Sequence, residues 1–229
     1  MTNAVTQDNN ETIKEWSKHL EHLNYEATKY TLKATTQLIP SVEAETRLAP
    51  RMHLKCRLPS LQPKRLNEGF GTDTFFSEVK SSCGNKCGQV FLGIKSGYTV
   101  FIPLKSKAYA YAALSDYIKD VGAPLFLSSG TAKEENLGKW ISICRTIGIQ
   151  KHSSKPYYQH QNKVEHRIQD IKRRASLVMK QYNAPERFWD YACEYITELI
   201  NHSATWQLAW RTPYESLHGK TPDILLFLL

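Results

Sequence analysis

Three strand-like runs follow one another between Thr72 and Leu104 with only short turns between them, and this order constrains the fold more than any other feature. Thr72–Val79 is the first run. Gln89–Ile94 is largely apolar throughout, the pattern of a strand buried on both faces. Ser96 and Gly97 give a tight turn. Tyr98–Leu104, rich in β-branched and aromatic residues, is the third run. Strands this close in sequence pair as an antiparallel meander.

After Leu104 the pattern changes to alternation. A helix is predicted over Lys107–Val121, with Ala110, Ala113, Leu114, Tyr117, Ile118 and Val121 as its apolar stripe. Gly122-Ala123-Pro124 ends it, and Pro124–Leu127 reads as a short strand running into Ser128-Ser129-Gly130-Thr131. A second helix over Glu135–Thr146 buries Leu137, Trp140, Ile141 and Cys144 and stops at Gly148. Ile149–His152 is a fifth strand, and Ser153–Gln161 a polar loop. A long helix over Lys163–Tyr182 buries Val164, Ile168, Ile171, Ala175 and Val178. A last helix, Pro185–Ser203, carries a Phe188/Tyr191/Ala192/Tyr195/Leu199 face. Strands first and alternation afterwards indicate an α/β fold, a mixed five-stranded sheet flanked by helices.

The ends read differently. Residues 1–10 form a polar lead, and 11–35 are helical in period through Ile13, Trp16, Leu20 and Leu23. Ala49 to Pro63 reads as a linker. The expected division is a helical N-terminal region and linker at 1–65, a core at 66–182 and a helical C-terminal extension at 183–229. The polar stretch Met1–Glu15 lacks the form of a secretory signal, and the longest apolar run, Ile224–Leu229, is six residues, too short to span a membrane. Five cysteines, an odd number, are then expected as reduced thiols inside a cell. The net charge of +8 favours a polyanionic partner. Most of it lies in Gln150–Arg187, with nine bases against three acids.

The motifs sharpen this picture. Leu32-Lys-Ala-Thr-Thr-Gln-Leu38, Thr72-Asp-Thr-Phe-Phe76, Gly84-Asn-Lys-Cys87 and Gln159-His-Gln-Asn162 with Glu165-His-Arg167 occur in that order. Trp210-Arg-Thr-Pro-Tyr214 and Gly219-Lys-Thr-Pro-Asp223 follow. Over roughly Trp16 to Ile224 this set resembles the integrase region of copia-type retrotransposon polyproteins. The resemblance implies a ribonuclease H-like core that carries out DNA integration. In such a core, carboxylates on the first strand, after the fourth strand and on the helix beyond the fifth hold two Mg²⁺ or Mn²⁺ ions. Two metals about 4 Å apart stabilise both the attacking and the leaving oxygen of a phosphodiester displacement. By resemblance Asp73 is the first carboxylate and Glu165 the third. DNA is the implied partner, a homo-oligomer is possible, and the nucleus is the expected compartment for a functional protein. Lys163, Arg167, Lys172, Arg173 and Lys180, together with Tyr158, His160 and Gln161, are the candidate DNA contacts, and Arg174 lies among them.

The departures from the pattern matter as much. The family places Ser-Asp-Asn after the fourth strand, whereas this chain has Ser129-Gly130-Thr131-Ala132. Glycine offers no carboxylate, and Glu134 and Glu135 lie further along. The upstream zinc module of the family needs paired His and paired Cys. Here His19 and His22 are followed only by Cys56, and Cys83/Cys87 has no partner pair, so zinc is not expected. The resemblance thus implies a degenerate or truncated copy: either an impaired polynucleotidyl transferase with an incomplete triad, or a non-catalytic DNA-binding or oligomerising remnant. The residues also admit plainer readings. Asp73 suits an ordinary strand acid, Glu165 an acid in a helix's first turn, the basic helix a solvated face, and the tryptophans core positions.

Overall fold

The computed structural model describes residues 68–129, 138–153 and 159–223, with 27, 28, 30 and 31; for 153 and 159–162 it describes the backbone alone. The expectations for Ile13, Trp16, His19, Leu20, His22, Leu23, Cys56 and the linker lie outside these residues. The chain forms two compact units, Leu61–Glu198 and Met1–Ser60 with Leu199–Leu229.

The larger unit holds the sheet. Its strands are β1 (Gly69–Phe76), β2 (Cys87–Gly93), β3 (Thr99–Leu104), β4 (Phe126–Ser129) and β5 (Gln150–Ser153). Their order is β3-β2-β1-β4-β5. The meander is present: β1 pairs antiparallel with β2, and β2 with β3. β4 then joins β1 in parallel, and β5 joins β4 in parallel. The helices are α1 (Ala110–Val121, entered through a 3₁₀ turn at Lys107–Tyr109), α2 (Lys139–Ile147), α3 (Gln159–Gln181) and α4 (Trp189–His202).

Every residue of β2 is buried, as its unbroken apolar run requires. One buried position is polar. Gln89 donates from Nε2 to Thr72 Oγ1 at 2.6 Å and accepts from Thr74 Oγ1, so the amide is satisfied across the β1–β2 pair. On the same face Phe70, Cys87, Phe91 and Leu127 pack with Ala113, Leu114 and Tyr117 of α1 and Trp140 and Cys144 of α2. The Phe91 ring stacks on Tyr117 at 4.5 Å and lies parallel to Trp140 at 6.3 Å. α3 contacts β1, β2 and β4 and buries Val164, Ile168, Ile171 and Ala175 of the expected stripe, with Val178 only half-buried. Phe75, Phe101 and Trp189 form a second aromatic group.

Local chemistry sets the boundaries. Gly148 closes α2 in the left-handed conformation at φ 79°, and the following Ile149 N–H returns to the Cys144 carbonyl. β4 begins at Phe126, two residues after the expected Pro124, which has no N–H to give a ladder. β1 begins at Gly69, before the expected Thr72, because its glycines hide a strand that pairs with β4.

Two helices depart from expectation. α3 starts at Gln159, so Glu165 lies beyond its first turn, which holds no acid. α4 buries Trp189, Ala192, Cys193 and Ile196, whereas Tyr191 is 50% exposed and Phe188 and Tyr195 are half-buried. Its apolar residues span somewhat more than half of the circumference, so periodicity alone does not fix which part of that arc turns inward.

In the smaller unit, Tyr30 stacks on Trp210 at 4.1 Å and the Ala204 N–H donates to Thr31 Oγ1 at 2.7 Å. α5 (Pro213–His218) is capped by Thr212, which accepts from the Glu215 N–H, and has Pro213 in its first turn.

Candidate active site

Asp73 lies midway along β1, the central strand, paired with Val90 of β2. Side chains alternate along a strand, so Asp73 points away from the Thr72/Thr74/Gln89 layer. It therefore shares the face of Phe75. Its Oδ1 accepts from the Thr74 N–H at 2.8 Å. Burial is the largest influence and pushes its carboxyl above the ordinary aspartate value. The Thr74 N–H and then the Lys107 ammonium pull it down, and the Glu165 carboxylate pushes it up.

The last influence locates Glu165. α3 lies against β1, and the exposed carboxylate of Glu165 stands within electrostatic range of Asp73. Seven residues further along α3, on the same side of the helix, the Lys172 ammonium sits 5.3 Å from the centre of the Phe75 ring. The pairs Asp73/Glu165 and Phe75/Lys172 thus advance together along strand and helix. The position of Glu165 beyond the first turn removes the helix-dipole account of it.

Ser129, the last residue of β4, pairs with Thr72, the neighbour of Asp73. Gly130, Glu134 and Glu135 follow outside the described residues, as does Tyr158, and the His160 and Gln161 side chains are likewise not described. Among the described residues, no group of three or more His, Cys, Asp or Glu side chains is placed to hold a metal ion. Asp73 and Glu165 offer the hard oxygen donors that a divalent ion takes. They do not by themselves fit a two-metal centre.

The basic residues of α3 do not form one stripe. At about 100° per residue, Lys163, Arg167 and Arg174 fall along one edge of the buried stripe and Glu165 and Lys172 along the other. Arg173 and Lys180 point outward, both exposed. Arg173 and Arg174 converge on Asp170 at 3.1 and 3.0 Å. Burial alone would raise the Asp170 carboxyl, but Arg174, Arg173 and Arg167 more than offset this and hold it below the ordinary value. Part of the basic excess is therefore spent inside the helix, and Lys172 is the base that α3 sets over Phe75, two residues along β1 from Asp73.

Lys107 is a site neighbour that sequence reasoning missed. It sits in the turn after β3, where the Ser106 hydroxyl accepts from the Ala108 N–H. Only the pairing of strand ends brings it near Asp73, and no spacing rule in the sequence encodes that.

Asp73→Asn is expected to stabilise the metal-free fold against urea at neutral pH. The raised folded value means the native state holds the Asp73 proton more tightly than the unfolded chain. The stability this supplies is full below the ordinary aspartate value and is lost as pH rises through the raised one. Asparagine removes that dependence. Equal or lower stability of the variant at pH 7 would contradict the assigned burial.

Solved structures share this fold. The catalytic core domain of HTLV-2 integrase in complex with magnesium, in a trimeric form, aligns with a TM-score of 0.58 at 16% identity, covering 69% of this chain and 100% of that one. The catalytic core domain of BIV integrase aligns at 0.54 and 18% identity, covering 67% and 95%. A chain of the simian T-cell lymphotropic virus intasome in complex with a PP2A regulatory subunit aligns at 0.56 and 15% identity. This chain spans 60% of the length of that last one. No protein-family model matches the chain, and no curated protein matches it. The fold is that of retroviral integrase catalytic cores.

Proposed function

We propose that this chain is a DNA-binding integrase core of copia-type retrotransposon origin, with its phosphoryl-transfer activity impaired by Gly130. The observation that supports the reading is that α3, which carries Glu165, packs against β1, which carries Asp73, within this fold. The HTLV-2 core domain that aligns with it is a magnesium complex. A divalent ion between such carboxylates would neutralise charge on a phosphodiester. Asp73 and Glu165 are the residues of this chain that would hold one, and Gly130 would leave it short of oxygen ligands. Lys172, over Phe75 and on the same side of α3 as Glu165, would hold a backbone phosphate of the DNA and fix its register. The copia assignment rests on the ordered motifs, and action in the nucleus follows from a DNA substrate. Self-association is proposed as well, since the HTLV-2 core occurs in dimeric and trimeric forms.

A second reading, a DNA-binding remnant without catalysis, is favoured by Gly130, which offers no carboxylate at the position after β4. Strand-transfer assays with Mn²⁺ separate the two. Weak transfer abolished by Asp73→Asn or Glu165→Gln supports the impaired enzyme, and DNA binding without transfer supports the remnant.

Binding to a short duplex is expected to weaken with salt under either reading. Lys172→Ala should flatten the log–log slope by about 0.9, the value of one phosphate contact. Arg173→Ala should flatten it less, because Arg173 already pairs with Asp170. Equal effects of the two substitutions in fluorescence anisotropy would contradict this assignment.

A further inference from the structure

The connection between β1 and β2, residues 77–86, is an ordered loop. The Ser77 N–H donates to the Lys86 carbonyl, the Ser81 N–H to the Asn85 carbonyl and the Gly84 N–H to the Ser81 carbonyl, all at 2.9–3.0 Å. Gly84 takes φ 86° and lies under the Lys80 side chain. Two further bonds fasten the loop to the start of α4. The Ser82 N–H donates to the Arg187 carbonyl at 2.8 Å, and Asn85 Nδ2 donates to the buried Asp190 carboxylate at 2.9 Å. Another backbone bond, from the Lys86 N–H to the Leu104 carbonyl, ties it to the end of β3.

These ties gather bases that are remote in sequence. Lys80 and Lys86 come from the loop, Lys105 and Lys107 from the turn after β3, and Arg187 from the turn before α4. Lys80, Lys86, Lys105 and Arg187 are exposed, and none of the four is in an ion pair among the described residues. Two exposed acids, Glu78 and Glu186, share the region, leaving five bases against two acids. Phe76, 56% exposed at the end of β1, lies among them, with the Lys107 ammonium 5.8 Å from its ring centre. An exposed aromatic among bases is how proteins hold a nucleic-acid strand, the ring against a base or sugar and the cations on phosphates.

The location gives the surface a direction. Phe76 is three residues beyond Asp73 on the same strand, about 10 Å at roughly 3.3 Å per residue, and alternation turns its ring to the opposite face, so the surface lies around the end of β1 and not on the face of Asp73. DNA whose scissile phosphate lay at Asp73 and Glu165 would meet Lys107 next and then the loop bases.

We propose that Lys80, Lys86, Lys105, Lys107, Arg187 and Phe76 form a second DNA-contact surface, which holds the strand leaving the Asp73/Glu165 site. This rests on the reading of that site as one acting on DNA. The surface is separate from the bases of α3. Because its loop is fixed by hydrogen bonds, it presents its charges with little ordering cost on binding.

The test measures affinity of the whole chain for a fluorescent DNA duplex with a single-stranded overhang, across a salt series. The Lys80→Ala/Lys86→Ala/Lys105→Ala variant should lower the log–log salt slope by about 2–3, at about 0.9 per phosphate contact. Phe76→Ser should weaken binding to the overhang while leaving the slope unchanged. Lys139→Ala/Arg145→Ala on α2 is the control and should bind as the unaltered chain does. An unchanged slope in the triple variant, with Lys172→Ala still flattening it, overturns this proposal and leaves the function reading intact. A chain with no salt-dependent DNA binding at all removes both.

Discussion

Gly130→Asp is expected to raise the affinity of the chain for Mn²⁺ or Mg²⁺ on the order of 10–100-fold, the scale on which even an outer-shell partner alters metal binding. Two carboxylates leave most of the coordination of a hard dication to water. Mg²⁺ in particular gives up its hydration reluctantly when the oxygens offered are few. Residue 130 follows Ser129, and Ser129 is paired with Thr72, next to Asp73. A carboxylate introduced there completes the pattern of first strand, fourth strand and long helix. Calorimetric titration with each ion measures the gain, and Gly130→Asn is the control for size without charge. If aspartate and asparagine behave alike, the missing ligand is not at 130, and Glu134 and Glu135 become the positions to replace.

Phe91→Ala is expected to cost about 3–5 kcal/mol, a large share of the roughly 5–15 kcal/mol by which a typical domain is stable. Phe91 is fully buried on β2, stacked on Tyr117 and parallel to Trp140. Truncation removes the ring between two other rings and leaves a cavity that rigid aromatics cannot collapse to fill. It thereby separates the sheet from both α1 and α2. Phe91→Leu should cost less, since it keeps most of the volume and loses the ring–ring term of about 0.5–1.5 kcal/mol. Urea unfolding followed by far-ultraviolet circular dichroism gives both values. A cost below about 1 kcal/mol for the alanine variant would show that the stack is not what joins these layers.

Most of the architecture was legible because it is written in periodicity. The apolar run of β2 announced a strand buried on both faces, and the Val164/Ile168/Ile171/Ala175 stripe announced the buried side of α3. Periodicity is silent where a helix has no apolar residue. Gln159-His160-Gln161-Asn162 are helical through backbone hydrogen bonding, so the start of α3 was placed too late and Glu165 was put in its first turn. It is ambiguous where the apolar arc is broad, and so α4 is turned by about one residue from the expected face. Of the site, Asp73 and Glu165 stood out through motif order. Lys107 did not, because its nearness to Asp73 comes from β3 ending beside the start of β2, which in turn pairs with the end of β1. The bases of α3 looked like one face in sequence and divide into three once the helix is wound.

The pairing of β1 has a consequence for how the chain folds. β1 meets β2 through a short loop, whereas its other neighbour, β4, returns only after a second hairpin and a helix, and α3 closes over it later still. Loop-closure entropy is therefore small for the meander and much larger for everything that completes the site. High sequence separation slows such contacts. Asp73 is thus carried on a strand that can be organised early, and Glu165 reaches it among the last native contacts to form. A nascent chain released before α3 would hold all five strands with Asp73 but without Glu165, so the two carboxylates can meet only when the last layer is added.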